Sequence, residues 1–125
     1  MEVAVPEYKI SSRVLLDPRV TALIVVDMQV DFVSPKGKLF VPGAQKTIPA
    51  IRHLIAKAQK ARVPVIFTQD WHRVDDPEFS IWPSHAQEGT RGAQVAPGLK
   101  PLAKDHFIRK KTYDAFFSTD LDLLL

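Results

Sequence analysis

Two apolar stretches, each closed by an aspartate, constrain this chain more than any other feature. The first, "VTALIVVDMQ" at 20–29, is a continuous run rich in β-branched residues that stops at Asp27. The second, "VPVIFTQD" at 63–70, stops at Asp70. Short, uniformly apolar runs of this kind suit strands buried on both faces, as in a parallel sheet. Between them, Ile48, Ile51, Leu54, Ile55 and Ala58 recur at helical spacing, which predicts an amphipathic helix over 47–61. Thr47 is the expected N-cap, with Pro49 tolerated in the first turn. Strand, helix and strand in this order leave enough chain for a parallel crossover, so the expected class is α/β.

Beyond the second run, residues 70–104 read as a long polar and aromatic loop, and "HFIRK" at 106–110 as a short third strand. A helix is expected to begin within 118–125, with Ser118 or Thr119 as N-cap and Asp120 and Asp122 in its first turn. Leu121, Leu123, Leu124 and Leu125 then have nothing following them to bury them. Three strands and little more than one helix make a thin core for an open sheet. The expectation is that residues 1–125 are the N-terminal portion of a single larger domain.

Composition excludes several chemistries. The chain has no cysteine, which rules out disulfides, thiolate metal sites and cysteine catalysis within these residues. Its net charge of +3 is small and scattered, "IRKKTY" at 108–113 being the densest cluster, so no nucleic-acid partner is expected. No apolar run approaches the ~20 residues of a membrane span, and the charged N-terminus has no apolar signal core. A cytoplasmic protein without a membrane partner is the expectation.

In open parallel sheets, ligands bind beyond the carboxyl ends of the strands. Asp27, Asp70 and Lys110 each fall at such an end, so three charged side chains are expected on one edge of the sheet. After Asp70 comes "WH". Residues i and i+2 of an extended backbone point the same way, so Asp70 and His72 can address one point, where His85 could supply a third ligand. One carboxylate and two imidazoles suit zinc, iron or manganese. Phe32, Trp71, Phe79 and Trp82 crowd the same region. Such rings either pin the loop, the reading favoured for Trp71 and Phe79, or hold a flat ligand between them.

The stretches "LIVVDMQVDF" (23–32), "TQDWH" (68–72), "DDPEFSIWPSHAQEGTRGA" (75–93) and "IRKKTYDAFFSTDL" (108–121) together resemble the nicotinamidase branch of the isochorismatase-like cysteine hydrolases, in the family's order and spacing. The resemblance implies a three-layer α/β/α sandwich around a mainly parallel sheet. It implies that Asp27 is a general base taking the proton of a cysteine thiol, and that Lys110, chosen over Lys111 by the "I-x-K" pattern, stabilises charge at that nucleophile. Asp70, His72 and His85 match the family's ligands for a divalent metal, zinc first among the candidates. Phe32 and Trp82 match aromatics flanking a pyridine ring. The implied reaction is hydrolysis of nicotinamide or a related carboxamide to the acid and ammonia through a thioester. The cysteine would lie beyond residue 125. Ala86 stands where the branch often has a non-nucleophilic cysteine, and no third histidine lies between the ligands, leaving Asp75, Asp76, Glu78 or water to serve in its place. The expected partners are a small carboxamide and either a second copy of the chain or a chain carrying the rest of the domain. A cysteine-independent metal hydrolase and a non-catalytic binding module are the alternatives.

Overall fold

The computed structural model describes Ala4 and residues 6–125. Strands β1 (Leu23–Val25), β2 (Val65–Asp70) and β3 (His106–Lys110) form one parallel sheet in the order β1-β2-β3, with Val25 opposite Phe67 and Asp70 opposite Lys110. Helices are α1 (Val30–Val33), α2 (Ala44–Lys60) and α3 (Leu121–Leu124).

Helix α2 crosses from β1 to β2 and lays Ile55 and Ala58 against Val25, Val65 and Phe67, with Val95 and Leu99 closing the same cluster. On the opposite face, Leu121 of α3 packs on Ile66 and Ile108. The three layers are therefore helix, sheet, helix. Alternation along β2 explains how one strand serves both cores: Val65 and Phe67 point one way and Ile66 the other. Burying each such side chain contributes roughly 1.5–3 kcal/mol. No described helix is long and apolar enough to cross a membrane.

Four expectations change. The first run is not buried on both faces: Ile24 and Val26 are 36% and 63% exposed, because α3 is short and covers the β2–β3 side of its face. Helix α2 starts at Ala44, after Gly43 at φ +89°, so Thr47 is not its N-cap and Pro49 lies inside it. The turn at Pro42-Gly43 brings the chain in early, and the Thr47 hydroxyl donates back to the Ala44 carbonyl instead of capping. Leu54 departs from the buried stripe and is 52% exposed. At the C-terminal helix the N-cap is Asp120, although the Thr119 hydroxyl does accept from the Leu121 amide, and Leu121 is buried while the other three leucines are not. The loop 70–104 also holds short 3-10 turns at Pro77–Ser80, Arg91–Ala93 and Pro97–Leu99.

Candidate active site

Sheet register sets the first half of the site. Asp70 and Lys110 are the last residues of neighbouring strands and stand opposite one another. Asp27 lies just past β1 and adopts φ +51°, a left-handed conformation that costs a non-glycine residue roughly 1–2 kcal/mol. That twist breaks the strand and swings the carboxylate to the sheet edge. Its backbone N–H stays paired to the Thr68 carbonyl at 3.2 Å, and the Thr68 hydroxyl donates to Asp27 Oδ1 at 2.6 Å. Lys110 Nζ lies 3.0 Å from Asp27 Oδ2 and donates also to Asp70 Oδ1. The lysine side chain is only 3% exposed, whereas Lys111 faces solvent. Burial is the largest influence on the Lys110 ammonium and pulls its pKa down. The hydrogen bonds and charges of Asp70 and Asp27 together outweigh it, so the pKa is raised and the lysine stays charged.

The second half of the site follows from β2. Asp70 directs its other oxygen, Oδ2, toward His72 Nε2 at 3.8 Å. His72 and His85 are buried, and their rings meet edge to face at 4.9 Å. His72 Nδ1 pairs with Asp76 Oδ2 at 2.9 Å, and His85 Nδ1 with the Pro83 carbonyl at 2.6 Å. A carbonyl only accepts, so His85 carries its proton on Nδ1, and the carboxylate favours the same tautomer of His72. Each ring is left with its Nε2 lone pair. His72 Nε2 is buried without a hydrogen-bond partner, a costly state for a polar atom unless something is bound there. One ligand atom each from Asp70, His72 and His85 fall within 4.8 Å of one another. An orphaned imidazole nitrogen, a second imidazole and a carboxylate, with outer partners fixing both tautomers, fit a divalent transition metal.

Both halves face one cavity of about 410 Å³, walled by Phe32, Val41 and Trp82 as well as by Asp27, Asp70, His85 and Lys110. Trp82 donates its indole N–H to the Tyr113 hydroxyl at 3.0 Å, linking two loops across the rim. Phe79 stacks edge-on against both histidines, at 5.5 and 5.6 Å. Trp71 lies under the Arg109 guanidinium, 4.0 Å from its ring centre. Of the three acids offered as a further ligand, Asp75 is turned away into an exposed pair with Arg73, Asp76 holds His72, and Glu78 lines the cavity. The Asp76 carboxyl is held below its usual pKa by the Glu78 amide and then by His72.

Four residues that the sequence did not single out support this arrangement: Thr68, Gln29, Asp31 and Tyr113. Gln29 and Asp31 are polar groups inside apolar surroundings, which is a visible signal, but their partners lie far off in the chain. Ala86 is fully buried at φ +43°.

The chain matches the Isochorismatase domain family over residues 21–125. It is 46% identical over 126 residues to a nicotinamidase of Saccharomyces cerevisiae, covering 78% of this chain and 57% of that protein. The structure of a pyrazinamidase of Pyrococcus horikoshii in complex with zinc superposes with a TM-score of 0.77 at 34% identity, over 83% of this chain and 62% of that one. An N-carbamoylsarcosine amidase of Thermoplasma acidophilum does so with a TM-score of 0.76 at 38% identity, over 83% and 59%. The chain thus spans less than two thirds of the length of these relatives.

Proposed function

The chain belongs to the isochorismatase family, and from that premise we propose that the full protein is an amidohydrolase of nicotinamidase type. It would convert nicotinamide or a related neutral carboxamide, with water, to the carboxylic acid and ammonia. The nucleophile is a cysteine contributed by sequence beyond these 125 residues, which contain none. Asp27 takes the thiol proton, the thiolate forms a bond to the amide carbon, and the carbon–nitrogen bond breaks, the same proton being available to the departing ammonia. Water then cleaves the thioester with Asp27 again as base. Lys110, paired with Asp27 and Asp70, stabilises charge at the nucleophile. Asp70, His72 and His85 would hold a divalent metal, zinc in first place, which when bound would supply Lewis-acid chemistry toward a ring nitrogen of the substrate. Phe32 and Trp82 flank the ring.

The observation that carries this reading is the shared cavity: the Lys110–Asp27 pair and two of the three metal-type ligands, Asp70 and His85, open onto one space with aromatic walls. Charge narrows the substrate. Among the described lining residues, Asp27, Asp70 and Glu78 are acidic and Lys110, already held by two carboxylates, is the one lysine. A substrate carboxylate would find no unengaged ammonium there, which favours a neutral amide over an anionic ureido acid.

Ammonia release from nicotinamide by the full-length protein tests the reading. Asp27→Ala should abolish turnover and keep the metal, while His72→Ala should lose the metal. Turnover that survives alkylation of every thiol but stops on chelation would overturn the cysteine mechanism in favour of metal-only hydrolysis.

A further inference from the structure

The short segment 27–31 carries the candidate base and also two buried side chains, Gln29 bonded to the backbone of Asp70 and Asp31 to the amide that follows His85. Gln29 is fully buried. Its Oε1 accepts from the Asp70 N–H at 2.7 Å, and its Nε2 donates to the Asp70 carbonyl at 2.8 Å and to the Ala93 carbonyl at 2.9 Å. Strand β1 has ended by this level, so the Gln29 carboxamide replaces the missing peptide neighbour of Asp70, engaging both backbone groups of that residue.

Asp31 does the corresponding task for the histidines. Its Oδ2 accepts from the Ala86 N–H at 2.9 Å, which is the peptide immediately after His85. The Ala86 carbonyl in turn accepts the His72 N–H at 3.1 Å. One carboxylate therefore fixes the backbone next to His85 and, through Ala86, that of His72. Its Oδ1 accepts from the Lys38 amide at 3.2 Å, and Gly92 packs so closely that an added Cβ would lie 2.1 Å from Oδ2. Gly92 thus closes one side of the carboxylate.

We propose that Gln29 and Asp31 are positioning residues for the metal: they act on it through the backbone of Asp70, His85 and His72, and so fix its distance from Asp27 on the same segment. The proposal rests on the metal reading given above. Side chains that do not touch a metal but orient its ligands typically change affinity by about 10- to 100-fold when altered.

The test is a titration of the metal-free full-length protein with Co²⁺, followed by visible absorption, for the parent, Gln29→Met, Asp31→Asn and His72→Ala. The expected result is that His72→Ala loses high-affinity Co²⁺ binding. Gln29→Met and Asp31→Asn should bind about 10- to 100-fold more weakly, with shifted absorption bands, while circular dichroism shows them folded. Asp31→Asn changes almost no volume and carries the test if Gln29→Met does not fold. Co²⁺ binding by His72→Ala equal to that of the parent would overturn the metal site itself. Loss in His72→Ala, with parental affinity and spectrum in both positioning variants, would overturn this inference and leave the metal site standing.

Discussion

Lys110→Met is the sharpest test of the charge arrangement. The substitution keeps most of the apolar stem and removes an ammonium 3.0 Å from Asp27 Oδ2 and in direct contact with Asp70 Oδ1. At an effective dielectric near 20, unit charges about 3 Å apart attract by roughly 5 kcal/mol. Desolvation of the lysine offsets part of this, and removing one partner of a buried pair costs about 3–5 kcal/mol. Asp27 keeps 27% of its side-chain surface and Asp70 13%, so water stabilises the abandoned carboxylates in part. A loss of about 3 kcal/mol is expected near neutral pH in urea unfolding with chelator present. The pH dependence has a definite sign. The Lys110 pKa is raised above its ordinary 10.5 in the folded state, so its contribution is fully present below that pH and is lost as pH rises through the folded value. In the variant this loss is absent, so the gap to the parent narrows as pH rises above 10.5. A loss under about 0.5 kcal/mol at neutral pH, or a gap that widens as pH rises above 10.5, would refute the account.

Gly92→Ala should destabilise by about 2 kcal/mol or more, since its Cβ would meet the Asp31 carboxylate at 2.1 Å, and a thermal melt reads this directly. Phe79→Ala removes the ring that braces both histidines and should cost about 2–3 kcal/mol, measured by urea unfolding. Trp82→Phe deletes an exposed hydrogen bond to Tyr113, so stability should change by less than about 0.5 kcal/mol. If Trp82 walls the substrate, nicotinamide KM should nonetheless rise in that variant. Chelation should lower the melting temperature of the metal-loaded full-length protein, and the His72→Ala variant should show no such drop.

What the sequence made legible was what depends on local pattern, and what it hid depends on long-range pairing. The aspartate at each apolar run's end located the sheet edge because strand termination and site formation coincide there: Asp70 and Lys110 close paired strands. The spacing of Asp70 and His72 implies a shared direction, since alternation is intrinsic to extended chain, and Asp70 Oδ2 lies 3.8 Å from His72 Nε2. By contrast, the partial exposure of β1 is not legible in the chain. A continuous apolar run carries no information on which neighbour covers which face, and Ile24 and Val26 lie on the side that α3 does not reach. The start of α2 is equally hidden, because Thr47 offers the same hydroxyl to a cap or to a carbonyl within the helix, and the turn at Gly43 decides between them.

Gln29 and Asp31 show the deeper limit. Each alternates with apolar neighbours in "DMQVDF", a pattern that marks the residue but not its partner. Their weight comes from partners 41 and 55 residues away: the backbone of Asp70 and of Ala86. A buried carboxamide is tolerable only when its donors and acceptor are all engaged, and Gln29 meets that condition through two separated strands of backbone. The strained turn at Asp27 belongs to the same economy of structure. A φ of +51° is held because the flanking Thr68 and Gln29 bonds determine the chain on either side of it. Asp27, the end of β2 and the backbone beside His85 are thus tied together through one short segment, residues 27–31, by hydrogen bonds to Thr68, Asp70 and Ala86.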